Sequence, residues 1–94
     1  MLFALVGIFK HPRPPNSAGF ESALNEHLAQ SALRIVNAGY LRNRDGEKVG
    51  FAGVIEARSF EMAEAFVESG PFATGGQLDH LHLATYDVEV GRLG

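Results

Sequence analysis

The sequence predicts a two-layer α+β domain, four strands and two helices in the order βαββαβ, and three observations carry that prediction. The stretch Phe51–Phe72, FAGVIEARSFEMAEAFVESGPF, reads in order as strand, cap residue, short amphipathic helix, glycine stop and aromatic hook. The opening run Met1–Phe9, MLFALVGIF, is nearly all apolar and ends at Lys10-His11-Pro12, which favours a buried strand over a helix. The run Leu78–Tyr86 alternates, with Leu81, Leu83 and Thr85 on one side and His80, His82, Ala84 and Tyr86 on the other.

The elements follow in chain order. Met1–Phe9 is the first strand, and a strand apolar on both faces needs cover on both. Lys10–Gly19 is a proline-rich connection that Pro12, Pro14 and Pro15 stiffen. It is long for a strand–helix loop, a feature shared by functional loops and by plain stiff connectors. A helix is expected from Phe20 to Asn37, capped by Asn16 or Ser17, with Phe20, Leu24, Leu28, Ala32 and Ile35 as its core stripe. Gly39 then serves as the helix stop, and Tyr40-Leu41 opens a short second strand. Asp45-Gly46 is a hairpin signal leading into a third strand, Val49–Ala57.

Ser59 is the expected N-cap of a second helix, Phe60–Ser69. Met62, Ala65 and Phe66 are expected to face inward, with Glu61, Glu64 and Glu68 as its solvated side. Gly70 ends this helix and Pro71 prevents its continuation. Leu78–Tyr86 is the fourth strand, and 87–94 is expected to be a loosely ordered tail. This order is the ferredoxin-like arrangement, a four-stranded antiparallel sheet with both helices on one face. Two helices cover only one face of the sheet. A second copy of the chain is the economical cover for the other, so a homodimer packed sheet against sheet is expected.

Composition narrows the function classes. Ninety-four residues make a single domain, 1–94, that buries roughly 65% of its unfolded surface and needs no staples. No cysteine is present, which removes disulfides, thiolate metal sites and thiol nucleophiles and is compatible with a cytoplasmic location. A formal net charge of −3 argues against binding nucleic acid through a basic face. The longest apolar run, Met1–Phe9, is too short to span a bilayer, and it lacks the basic leader and small-residue cleavage site of a signal peptide. No phosphate-binding glycine loop, dinucleotide fingerprint or nucleophile elbow occurs, and no cofactor is implied.

Histidine dominates the candidate chemistry. His27 sits at the edge of the predicted buried stripe, beside Leu24, Leu28 and Ser31. An imidazole that titrates near neutrality suits acid–base work, and a boundary histidine bonded to a backbone carbonyl is the plainer alternative. His80 and His82, two apart on a strand, share one face, the geometry of half a metal site or of polar residues lining an interface. Lys10, His11 and Arg13 form a small basic cluster in the proline loop that would hold a carboxylate or phenolate beside a pocket, or remain a solvated loop. Tyr40 and Tyr86 offer phenolic donors inside a cavity or amphipathic packing at an interface.

Across nearly its whole length the chain resembles the YCII-related family of dimeric α/β-barrel proteins. The residues that carry the resemblance are Glu26-His27-Leu28, Gly39, Asp45-Gly46, Gly50, Ser59, Pro71-Phe72 and Gly76. The family's proposed active site pairs the helix histidine with an aspartate about two and a half turns on, where this chain has Ile35, Val36 and Asn37. Phe51 stands in place of the family's serine and Gly70 in place of its second aspartate, so His27 is the polar position kept. The resemblance implies a small-molecule pocket. One relative acts on chlorinated hydroxyquinones, which implies acid–base or lyase-type chemistry on a small aromatic substrate. His27 would be the catalytic group, with His80, His82, His11, Arg13 and Tyr86 as substrate contacts. The alternatives are a ligand-binding or interaction dimer that kept the fold and lost the His–Asp site, and a metal site on His80 and His82.

Overall fold

Every second residue of the first strand, β1 (Leu2–Phe9), is buried: Phe3, Leu5, Gly7 and Phe9 face the core, while Ala4, Val6 and Ile8 are only partly covered. The computed structural model describes residues 1–91, with backbone alone for Thr74 and Gly75. Residues 92–94, the end of the tail expected to be loosely ordered, lie outside the described residues.

β1 is a central strand because both its edges are paired. It runs antiparallel to β3 (Lys48–Glu56) on one side and to β4 (Leu78–Thr85) on the other. β2 (Arg34–Arg42) pairs antiparallel with β3, which completes the four-stranded order β2-β3-β1-β4. With α1 (Ser17–Ala29) between β1 and β2, and α2 (Phe60–Glu68) between β3 and β4, this is the predicted ferredoxin-like α+β fold. A 3-10 segment, Pro71–Gly76, carries the aromatic hook Phe72, which is buried against the core.

The local signals that held are those with a specific chemical cause. The hairpin turns at Gly46, whose φ of +82° lies in the left-handed region that glycine enters without steric cost. Asn43 braces the same turn: its Oδ1 accepts from the backbone N–H groups of Asp45 at 2.9 Å and Glu47 at 3.0 Å. Ser59 caps α2 as expected, with Oγ accepting from the Met62 backbone N–H at 3.2 Å.

The first helix needs correction. It spans Ser17–Ala29, and the residues expected to be its second half form the start of β2. Ala32 and Ile35 are therefore not on a helical stripe, and Gly39 lies within a strand rather than at a helix end. The hairpin is the physical reason. β3 is nine residues long, and an antiparallel partner folded back through the Asn43–Gly46 turn must run equally far, placing Arg34 opposite Glu56. β-branched Ile35 and Val36 suit that pleated position better than a helix. At the N-terminus Asn16 takes a left-handed conformation (φ 66°) and gives no side-chain cap bond.

On α2 Phe66 faces inward as expected, but its inward companion is Ala63, while Met62 is 40% exposed and Ala65 is also exposed. Gly70 follows α2 as predicted, but in extended backbone (φ −97°), so left-handed freedom is not why glycine sits there. The face of the sheet away from the core carries Ala4 beside Ala84, Val6 beside His82 and Ile8 beside His80.

Candidate functional site

A cavity of about 170 Å³ lies between α1 and the β2–β3 half of the sheet. Its floor and walls are Leu5, Leu24, Leu28, Ile35, Phe51, Ile55, Phe66 and Phe72, with Ala52, Gly53 and Tyr40 alongside. Asn25, Asn37, Ala38 and Gly39, all exposed, form the rim, so the cavity opens towards solvent there. It exists because α1 stops at Ala29: a helix continuing to Asn37 would not leave β2 to form a wall. Phe51, which takes the place of the family's serine, packs on Phe72 with centroids 5.8 Å apart and makes that wall aromatic. A second hollow of about 400 Å³, between α2 and β4, includes exposed Glu68, Ala73, Asp79 and His80 and has no comparably enclosed wall.

A charged cluster adjoins the cavity rim. Glu21, one turn before Asn25 on α1, accepts from Lys48 Nζ at 2.6 Å and from Arg13 Nη1 at 3.3 Å. Burial pushes the Glu21 carboxyl up, but Lys48 and Arg13 outweigh it and hold the group below its ordinary value. The Lys48 ammonium lies 4.2 Å from the Tyr40 ring centroid, and the Tyr40 hydroxyl donates to Asn25 Oδ1 at 3.5 Å. Burial, with Glu21 nearby, raises the Tyr40 phenol above its usual range. Arg13 stacks its guanidinium 3.7 Å over Phe9, and its Nε and Nη2 are buried without a hydrogen-bond partner.

His27 is held between the two helices. Its Nε2 donates to the Phe66 carbonyl oxygen at 2.8 Å. Because a carbonyl only accepts, that bond puts the proton of the neutral ring on Nε2 and leaves Nδ1 as the acceptor. The ring stacks on Phe66 at 4.5 Å between centroids and meets Phe72 edge-on at 5.9 Å. Both phenylalanines also line the cavity, so His27 stands behind its aromatic wall. Gly70 makes this placement possible, since a Cβ there would lie 2.7 Å from His27 Nε2 and 2.6 Å from Phe72 Cε2.

The other residues singled out from the sequence are dispersed. His80 and His82 are exposed on the open sheet face, with rings parallel and 6.1 Å apart. Among the described residues no group of three or more His, Cys, Asp or Glu side chains comes together to hold a metal. His11 is exposed in the proline loop, while Arg13 from the same loop turns back onto Phe9 and Glu21. Tyr86, just past β4, is 38% exposed and does not line the cavity, whereas Tyr40 does. Glu21, Asn25 and Lys48 were not foreseen. Their signal was available only in combination, as a Glu–Asn pair one turn apart on α1 facing a lysine at the start of β3.

No family model matches this chain, and no curated protein matches it. Among solved structures it is similar to 5-chloro-2-hydroxyhydroquinone dehydrochlorinase (TftG) from Burkholderia phenoliruptrix AC1100, in complex with 2,5-dihydroxybenzoquinone. The TM-score is 0.66 at 22% identity, over 93% of this chain and 94% of that one. A likeness at this identity establishes the fold. Among the described residues, no helix is long and apolar enough to cross a membrane.

Proposed function

We propose that this protein is a YCII-like small-molecule pocket protein that binds a single-ring aromatic compound between α1 and β2–β3. The carrying observation is the cavity itself. At about 170 Å³, with Phe51, Phe66 and Phe72 in its wall, it matches one aromatic ring in size and surface. A cavity of about 150 Å³ lined by apolar side chains takes benzene. The neighbouring fold's complex with 2,5-dihydroxybenzoquinone supports the same ligand class. The test is calorimetric titration of the purified protein with 2,5-dihydroxybenzoquinone, alongside Leu28→Trp, which fills the cavity. Saturable binding lost in Leu28→Trp is expected, and binding equal in both proteins would sink the proposal.

A second reading, catalysis by His27, is favoured by its tautomer. With Nε2–H held by the Phe66 carbonyl, Nδ1 of the neutral ring is the nitrogen left to accept a proton, and loss of HCl from a chlorinated ring needs a base to take the proton as chloride departs. Because His27 lies behind Phe66 and Phe72, the role requires the ring to reach past that wall. His27→Gln should then abolish chloride release from 5-chloro-2-hydroxyhydroquinone while leaving 2,5-dihydroxybenzoquinone binding in place. Unchanged release in that variant, or none from the wild type, refutes the role. The bond to Phe66 serves equally in a dimer that binds without reacting, and the absence of release would leave that form. Dimerisation through the open sheet face is part of the proposal, supported by the apolar row Ala4, Val6 and Ile8 along β1, each only partly covered. His80 and His82 would lie in that interface. A cytoplasmic location completes it and fits the cysteine-free composition.

A further inference from the structure

We propose that Lys48 and Arg13, with Tyr40 and Asn25, form an anion-recognition end to the cavity, so that the preferred ring carries a carboxylate or phenolate. This rests on the cavity being an aromatic pocket and names the ligand's second feature. Two cations share one carboxylate here: Arg13 and Lys48 both bond to Glu21, which leaves the cluster with one uncompensated positive charge. The three side chains are 23%, 31% and 18% exposed for Arg13, Lys48 and Glu21, so that charge is only partly screened by water.

The cluster is also short of acceptors. Arg13 Nε and Nη2 are buried and unpaired, and a buried donor without a partner is costly. Lys48 uses a single hydrogen bond of the three its ammonium can donate. An incoming anionic oxygen at Lys48 supplies the missing negative charge and an acceptor for the ammonium's free N–H groups, while Arg13 contributes its charge from behind Glu21.

Tyr40 and Asn25 tie this cluster to the cavity. Both belong to its lining, they bond to each other at 3.5 Å, and Lys48 rests on the Tyr40 ring. A ring seated against Phe51 and Phe72 therefore points a substituent at the rim towards Lys48. Glu21 keeps the cations in place when no ligand is bound, and its carboxylate also repels an anion that fails to reach Lys48. The geometry thus selects a ring with one anionic group at its outer end over the same ring with a neutral one.

The test uses two probes of nearly the same shape, 4-hydroxybenzoate and neutral 4-hydroxybenzamide, titrated into the full chain by calorimetry or ligand-observed NMR. The anion is expected to bind about tenfold more tightly, the factor one charge-assisted hydrogen bond supplies. Lys48→Gln should erase that preference and leave 4-hydroxybenzamide binding unchanged. Should Lys48→Gln fail to fold, Arg13→Gln and the salt dependence of the wild-type preference make the same comparison. Equal binding of both probes to the wild type overturns the anion site and leaves the aromatic pocket standing. Binding of neither overturns both.

Discussion

Gly70→Ala isolates the packing that holds His27. The added methyl would lie 2.6 Å from Phe72 Cε2 and 2.7 Å from His27 Cδ2 and Nε2. Carbon atoms prefer about 3.5–4.0 Å, so one neighbour must retreat by about 1 Å. Phe72 is 3% exposed and wedged between Phe51 and Phe66, so His27, the less buried of the two, is the one to move. Its movement breaks the 2.8 Å bond to the Phe66 carbonyl. That bond contributes about 1 kcal/mol, and the residual crowding costs about 1–3 kcal/mol. Against this, alanine restricts the unfolded chain and returns about 0.4–1 kcal/mol, because extended backbone at position 70 suits it. The net loss is roughly 1–3 kcal/mol, a fall in Tm of about 5–20 °C for a chain this size. Thermal unfolding followed by circular dichroism reads the loss, and the His27 ring resonances in NMR read the displacement. In a His27→Ala background the penalty should shrink, since one of the two clashes is gone. A Gly70→Ala protein as stable as the wild type, with His27 resonances unmoved, would refute the reasoning.

Three further outcomes follow from the same contacts. Ser59→Ala removes the α2 cap and should cost about 1 kcal/mol in chemical denaturation, with the α2 amides exchanging faster. Glu21 has a folded-state pKa below the ordinary 4.5, so its ion pairs stabilise the fold above that pH and lose their effect as pH falls through the lowered value. Wild type and Glu21→Gln should therefore differ in Tm at neutral pH and converge in acid; a gap that persists in acid rules out the ion pairs as its source. Val6→Glu, on the open sheet face opposite the core, should convert a dimer to a monomer in light scattering with the fold intact, and a wild-type monomer would remove the dimer from the proposal.

The legible parts of the fold were those set by short-range chemistry. Asp45-Gly46 announces its turn because φ beyond zero favours glycine. Ser59 announces its helix because its hydroxyl satisfies a free backbone N–H. The Ile35–Gly39 segment was misread because its apolar spacing extends the α1 stripe, while its actual state depends on β3, a partner later in the chain. The candidate site was less legible for the same reason. His27 stands out in the sequence as the catalytic candidate, with a boundary histidine bonded to a backbone carbonyl as the plainer alternative; the carbonyl it meets is that of Phe66, on the other helix. Arg13 was noticed in the proline loop, yet Glu21 and Lys48 lie on different elements that only the folded chain brings together.

By itself, then, the sequence determined the βαββαβ order, the hairpin turn, the α2 cap and the apolar strand at the centre of the sheet. Each is a property of a residue and its near neighbours in the chain. Tertiary structure decided where α1 ends, which strand walls the cavity, and which charges meet at its rim. Those depend on strand pairing and on side chains packed from distant segments, because burial and electrostatic balance belong to the assembled core. Gly70 shows both levels at once. As a residue it reads as the end of a helix; in the fold it is the space that His27 needs.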